Sequence, residues 1–125
     1  MLKPLLAGAA LALALSAPAS AQAPDIAGVW QRADGTSRIR MSPCGDAMCG
    51  TVVWLRDPES SKSRVGQQVF SGLKPSGNVW KGNAFNPEDG RTYAGEASLA
   101  GGGLVTKGCA LGGLVCRSVN WTRSR

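Results

Sequence analysis

The sequence predicts an all-β fold, a small eight-stranded antiparallel up-and-down barrel, and three observations support this prediction. Glycine supplies 17 and proline 7 of the 125 residues, and these breakers divide the chain into short apolar stretches at fairly regular spacing, which is typical of β domains. The connections are short and carry turn residues, among them Asp34-Gly35 and the glycines at 101–103. Eight strands joined as consecutive hairpins tend to close into a barrel, which removes exposed sheet edges. A two-sheet sandwich is the alternative.

The first four strands are recognised by their apolar residues and by how these alternate. The first contains Gly28-Val29-Trp30, and in the second Ile39 and Met41 alternate with arginines. The third, Thr51 to Leu55, is apolar on both faces, so we expect it to be covered on both sides. The fourth follows a longer polar connection. These strands are predicted at 26–32, 36–42, 49–56 and 67–73.

The last four strands are separated by turns rich in glycine, proline and asparagine. In the sixth strand Tyr93, Ala97 and Leu99 share one face, while polar residues occupy the other. In the eighth strand Trp121 and Arg123 share a face. No segment after the first 23 residues shows the period of a long amphipathic helix. The strands are predicted at 78–85, 91–99, 103–109 and 115–123.

The amino-terminal segment, residues 1–21, has the features of a secretory signal peptide. A basic start at Lys3 precedes an apolar run of about 11 residues, too short to cross a bilayer, and a small-residue stretch ends at Ala21. Cleavage there leaves residues 22–125 as a single β-barrel domain. We therefore expect export by the Sec route to the periplasm or the exterior.

The four cysteines form two pairs with short spacing, which in an oxidising compartment indicates local disulfides. In an up-and-down barrel the two pairs lie at opposite ends, about 20 Å apart, far beyond the reach of a disulfide. We therefore predict the bridges Cys44–Cys49 and Cys109–Cys116. The second shares its end of the barrel with the long polar connection at 57–66, which we interpret as a flap.

Several classes of function are disfavoured by the composition. The chain has no histidine, so Ser-His-Asp and Cys-His mechanisms and histidine-ligated metals have no basis. The carboxylates Glu88 and Asp89 lie in a predicted turn, where turn chemistry explains them. We predict no catalytic residue, no metal site and no cofactor. The net charge of +6 favours anionic partners weakly, but export and the lack of an aromatic and basic array disfavour nucleic acid.

The tryptophans point to the way the barrel closes. The first and last strands of a closed barrel are neighbours, so Trp30, Trp121 and Arg123 are expected to meet, with the arginine stacked on an indole at one end. Gly-x-Trp in the first strand with an arginine late in the last resembles the lipocalin signature. The sequence also resembles the bacterial exported family called domain of unknown function 2147 across the chain after the leader. The matching blocks are Gly28-Val29-Trp30, Pro43 to Gly50 with Val53-Trp54-Leu55, Asn86 to Tyr93, and Gly108-Cys109 through Cys116-Arg117 to Arg123.

The resemblance implies a lipocalin-like barrel in the cell envelope or outside the cell, and it supplies no established activity. We expect such a barrel to bind a small, partly apolar molecule that enters beside the flap, although side chains filling the barrel would leave no cavity. The alternative is a non-enzymatic interaction module whose basic outer surface contacts envelope components peripherally or binds a protein partner. Predicted ligand-lining residues, chosen by strand register, are Trp54 (or Val53), Phe70, Trp80, Tyr93 and Leu104.

Overall fold

Eight antiparallel strands, each paired with the next along the chain, form a closed barrel in the computed structural model, which describes residues 23–124. The predicted all-β barrel is confirmed, and the sandwich alternative is wrong. The predicted leader, residues 1–21, lies outside the described residues. Within the described range, no helix is long and apolar enough to cross a membrane. The elements are β1 Gly28–Arg32, β2 Ser37–Cys44, β3 Ala47–Leu55, β4 Gln68–Ser76, β5 Val79–Asn86, β6 Arg91–Ala100, β7 Gly103–Ala110, a 3₁₀ turn Leu111–Gly113, and β8 Val115–Arg123.

The barrel has two ends of different character. The turns after β2, β4 and β6 lie at one end with the amino-terminal segment 23–27, and we call this the closed end. The connections after β1, β3, β5 and β7 lie at the other, which we call the mouth end. The predicted flap joins β3 to β4, so it shares the mouth end with the turn between β7 and β8.

Trp30 is the centre of the closed end. Its side chain is fully buried, and its indole Nε1 donates a hydrogen bond of 2.9 Å to the carbonyl oxygen of Ile26. The Arg123 guanidinium lies 4.1 Å from the centre of the Trp30 ring, within cation–π range, and donates a 2.9 Å hydrogen bond to the carbonyl of Ala27. Gly28 adopts φ +122°, and a Cβ there would lie 2.9 Å from an Arg123 nitrogen. The glycine, the tryptophan and the arginine therefore form one plug.

A second layer of buried side chains lies on this plug. The Trp121 indole donates a hydrogen bond of 2.9 Å to the hydroxyl of Thr106, so this buried polar group has a hydrogen-bond partner. The Trp80 indole donates to the carbonyl of Pro24 at 2.7 Å, so the amino-terminal segment is fastened across the closed end. The core around them consists of Ile26, Trp30, Ile39, Met41, Met48, Val52, Leu55, Phe70, Leu73, Ala84, Ala97, Leu104 and Trp121.

A bulge in β3 turns one side chain from the inside of the barrel to the outside. Val52 pairs with Ile39 and is buried, but the register then shifts, and Trp54 pairs with Arg38. The extra residue, Val53, moves the following side chain to the opposite face. Trp54 thus lies on the outer wall, where the Arg38 guanidinium stacks 4.5 Å from its ring centre.

The backbones of β4, β5 and β6 approach one another closely at a pair of glycines. Gly82 pairs with Gly95, and β4 carries an irregularity between Ser71 and Lys74 beside them. A Cβ on Gly82 would lie 2.5 Å from the carbonyl oxygen of Gly72, and one on Gly95 would lie 2.8 Å from the backbone of Asn83. Glycine is required here because neighbouring backbones approach too closely for a side chain.

Both predicted disulfides are present, one at each end of the barrel. Cys44–Cys49 joins the closed-end parts of β2 and β3, with the Cα atoms 5.9 Å apart. Cys109–Cys116 joins β7 and β8 near the mouth, with the Cα atoms 4.1 Å apart. No described cysteine is free. The two bridges are consistent with an oxidising compartment.

Candidate functional site

The inside of the barrel is packed at the closed end and open at the mouth end. The inward-facing residues of β8 show this gradient: Trp121 is 6% exposed, Val119 is half-buried, and Val115 is 54% exposed. Arg117, which shares their face, is also exposed. The accessible part of the interior is therefore the mouth half, between the flap and the hairpin of β7 and β8.

A polar cluster lies at the rim of the mouth. The Tyr93 hydroxyl donates a hydrogen bond to the carboxylate of Asp89, which also accepts a 2.9 Å hydrogen bond from the backbone N–H of Arg91. The bond from Tyr93, followed by that from Arg91, lowers the pKa of Asp89. The same Tyr93–Asp89 bond raises the pKa of Tyr93, with partial burial and the Asp89 charge adding to the effect, while the charges of Arg91 and Arg117 oppose it.

The Tyr93–Asp89 pair gives a testable prediction, because Tyr93 is the single tyrosine of the chain. A phenol whose pKa is raised contributes stability below its unfolded pKa and loses it as the pH rises through the folded value. A carboxyl whose pKa is lowered contributes stability above its unfolded pKa and loses it as the pH falls through the folded pKa. The Tyr93–Asp89 bond therefore stabilises the fold at pH values between the pKa of Asp89 and that of Tyr93. We expect ultraviolet absorbance to show that Tyr93 ionises at a higher pH than an exposed tyrosine does. In Asp89→Asn the midpoint of this titration should move to lower pH. An unchanged midpoint in that variant would remove Asp89 as the cause.

The predicted ligand-lining residues are not gathered in one place. Leu104 and Phe70 are buried in the core, Trp80 is half-buried under the amino-terminal segment at the closed end, and Trp54 lies on the outer wall because of the β3 bulge. Tyr93 lies inside the mouth, where it pairs with buried Ala84. Tyr93 is thus the one member of the predicted set at the opening.

Three further residues line the mouth and were not predicted. A Cβ on Gly108 would lie 3.7 Å from the Cβ of Tyr93 and 3.8 Å from that of Ala84, so Ala84 and Gly108 form a floor of small residues beside Tyr93. Val119, on the neighbouring strand β8, packs against the core. The alternation along β8 that placed Trp121 and Arg123 on one face, extended by two residues at a time, also places Val119 there.

Some of the basic residues on which the alternative function depends are paired or turned away from the outer surface. Lys74 is paired with Asp46 at 3.2 Å, and Lys107 lies opposite Glu96 across β6 and β7. Arg117 pairs with Gly108 in register and shares the inward face of β8. The positive charge is therefore partly neutralised on the outside and partly turned toward the mouth.

Two shallow depressions lie elsewhere on the described surface. The larger, about 340 Å³, lies at the closed end between the glycines of the β6–β7 turn and the end of β8. The smaller, about 190 Å³, is lined by Thr36, Asp57, Ser60 and Ser61. No described group of three or more acidic or cysteine side chains could hold a metal ion. We place the candidate site at the mouth because half-buried apolar side chains and a polar rim converge there, as in small-molecule sites.

An eight-stranded up-and-down barrel with a Gly-x-Trp in β1 beneath an arginine of β8 defines a lipocalin-like protein. The chain belongs to the family described as "Uncharacterized protein conserved in bacteria (DUF2147)", whose model matches residues 28–123. Its fold is similar to that of a protein from the human pathogen Helicobacter pylori described as belonging to the lipocalin family. The TM-score is 0.62 at 15% sequence identity, over 81% of this chain and 84% of the other. No curated protein matches the sequence.

Proposed function

We propose that this protein is an exported, non-enzymatic binding protein that holds a small, partly apolar molecule in the mouth half of its barrel. The exposure gradient along β8 carries the proposal, because the closed half is filled by core side chains while the mouth half offers half-buried Val119 and Tyr93. The barrel class supports it, since an eight-stranded barrel is wide enough to hold one small ligand. Export is supported by the leader features and by both disulfides.

The geometry indicates the character of the ligand. Ala84, Gly108 and Val119 offer an apolar floor without a deep cavity, so a compact ring or short chain fits better than a long acyl chain. The rim offers the Asp89 carboxylate, already bonded to Tyr93, and the Arg91 side chain beside it. A ligand with an apolar body and one neutral polar group matches this arrangement.

The test uses the neutral dye N-phenyl-1-naphthylamine, whose fluorescence increases in apolar surroundings, as a probe for the mouth. We expect saturable binding by the oxidised protein and a loss of about tenfold or more in affinity for Val119→Trp, which fills the floor. The control is Ser118→Trp, one residue away on the outer face of β8, which should bind the dye normally. Equal binding by both variants, or no saturable binding by the parent protein, would contradict a ligand site at the mouth.

A further inference from the structure

The mouth half of β8 is a sheet edge that none of the other described strands covers. β1 ends at Arg32, opposite Trp121, and the last backbone bond between these two parts of the chain runs from the N–H of Ala33 to the carbonyl of Asn120 at 2.8 Å. β8 continues for five residues beyond this point, Val115 to Val119, paired only with β7. The first four of these residues are all exposed. The barrel is therefore closed for only part of its height along the β1–β8 seam.

The backbone groups along this edge are oriented to accept another strand. The carbonyl of Asn120 points toward β1, and backbone direction in a strand repeats every two residues, so the N–H and C=O of Ser118 and Cys116 point to the same side. The Cα separation of 4.1 Å between Cys109 and Cys116 supports this orientation, because it is the short separation of a non-hydrogen-bonded antiparallel pair. In such a pair the backbone N–H and C=O groups of the two residues point away from each other. Cys116 and Ser118 thus each present a backbone N–H donor and a backbone C=O acceptor to solvent.

The edge strand, residues 115–119, is already extended and rigid before any partner binds. β7 and β8 pair without a register shift over seven residues, and the Cys109–Cys116 disulfide fixes them near the tip. Among the described residues the edge 115–119 carries no proline, bulge or covering segment, and its one charged side chain is that of Arg117. A rigid strand that needs no ordering on binding costs little conformational entropy when it adds a partner.

The side chains of the edge specify what would bind there. On its inward face the exposed Arg117 lies between Val115 and Val119, and among the described residues it has no carboxylate within salt-bridge distance. No acidic residue follows Glu96 in the sequence. A strand with a carboxylate opposite Arg117 and an apolar side chain two residues to either side would match this pattern.

Two other occupants fit less well. If a second copy paired antiparallel, with Cys116 opposite Ser118, the two Arg117 side chains would face each other, which is unfavourable. Residues 23 and 124, the first and last that the structure describes, both lie at the closed end, away from this edge. We propose that residues 115–119 of β8 bind an extended, acidic peptide strand of a partner protein by β-strand addition. This site shares Val119 with the ligand floor but uses the backbone edge of β8, which the ligand floor does not.

The test titrates the isotopically labelled, oxidised protein with the peptide Thr-Val-Thr-Glu-Thr-Val-Thr, blocked at both ends, and with its counterpart carrying Lys in place of Glu. Peptide concentrations up to about 5 mM capture millimolar dissociation constants. We expect the amide signals of Cys116 and Ser118 to shift and their hydrogen exchange to slow with the acidic peptide. The lysine peptide should bind about tenfold more weakly, and Arg117→Glu should reverse the preference.

Ser118→Pro is the decisive variant, because it removes an N–H that points away from β7 and leaves the β7–β8 ladder intact. It should abolish peptide binding, whereas Ser118→Ala, which keeps the N–H, should bind as the parent protein does. The dispersed amide spectrum of each variant verifies folding. Equal binding by Ser118→Pro, or no change at Cys116 and Ser118 at the highest peptide concentration, would overturn the proposal. Protection of the same amides on raising the protein concentration alone would assign the edge to a second copy and would also overturn it.

Discussion

Replacing Trp30 by alanine is expected to lower the free energy of unfolding by about 3–5 kcal/mol, the range for deletion of a fully buried large aromatic side chain. The substitution empties the centre of the closed end, leaves the carbonyl of Ile26 without its indole donor, and removes the ring on which Arg123 stacks. The measurement is equilibrium urea unfolding of the oxidised protein. Because a domain of this size is stable by only about 5–15 kcal/mol, this loss is a large fraction of its total stability.

Arg123→Ala is the matched control for this prediction. It removes the stacking partner and the hydrogen bond to the Ala27 carbonyl but leaves Trp30 in place. Arg123 is exposed, so we expect a loss of about 1 kcal/mol, the value for a cation–π contact at such a site. Similar losses in the two variants would mean that Trp30 stabilises the barrel mainly through the arginine rather than through its own burial.

Gly82→Ala is expected to destabilise the barrel by about 3 kcal/mol or more, although alanine is a better strand residue than glycine. The added Cβ would lie 2.5 Å from the carbonyl oxygen of Gly72 and 2.6 Å from that of Ser71. Both are backbone atoms of the adjacent strand, which cannot rotate away as a side chain could. In a thermal scan the loss corresponds to a melting temperature lower by about 12 °C or more.

Gly108→Ala provides the comparison, because the two glycines occupy the same level of neighbouring hairpins but have different surroundings. The added Cβ at position 108 would make ordinary van der Waals contacts at 3.7 and 3.8 Å with the side chains of Tyr93 and Ala84. We expect a change within about 1 kcal/mol of zero. A mild effect of Gly82→Ala, equal to that of Gly108→Ala, would show that β4 can move away from β5 and that the close approach of the two strands does not require glycine.

The fold could be predicted because almost all of its strand pairs join segments that are adjacent in the sequence. Each hairpin is marked by a turn between two alternating strands, and seven of the eight strand pairs join neighbours in the sequence. Trp54 shows where this reasoning stops. Strict alternation from buried Val52 places Trp54 inside, but the bulge reverses the face, and it depends on how β3 pairs with β2 rather than on the residues of β3 alone.

The candidate site was harder to predict because it depends on relative strand lengths. Both Tyr93 and Phe70 were expected to line one space, but Phe70 is buried in the core against Gly50, where a Cβ would be 2.9 Å from its ring, and only its partner Ala84 lies beside Tyr93. The open edge was also missed. Both the predicted and the observed first strand end at Arg32, and the edge is open because the register places Arg32 opposite Trp121, which leaves residues 115–119 of β8 beyond the end of β1.

The pairing of β1 with β8 has a consequence for how the chain acquires its structure. Every other strand pair can form as soon as the second strand of a hairpin is available, whereas this one joins residues near position 30 to residues near position 123. The cost of closing such a long loop is met only when nearly the whole chain is present. Closure is therefore the slow, late event expected for pairings of high sequence separation. Until Arg123 reaches Trp30, the chain is an open meander with two free edges, and in that interval it is most vulnerable to aggregation and proteolysis.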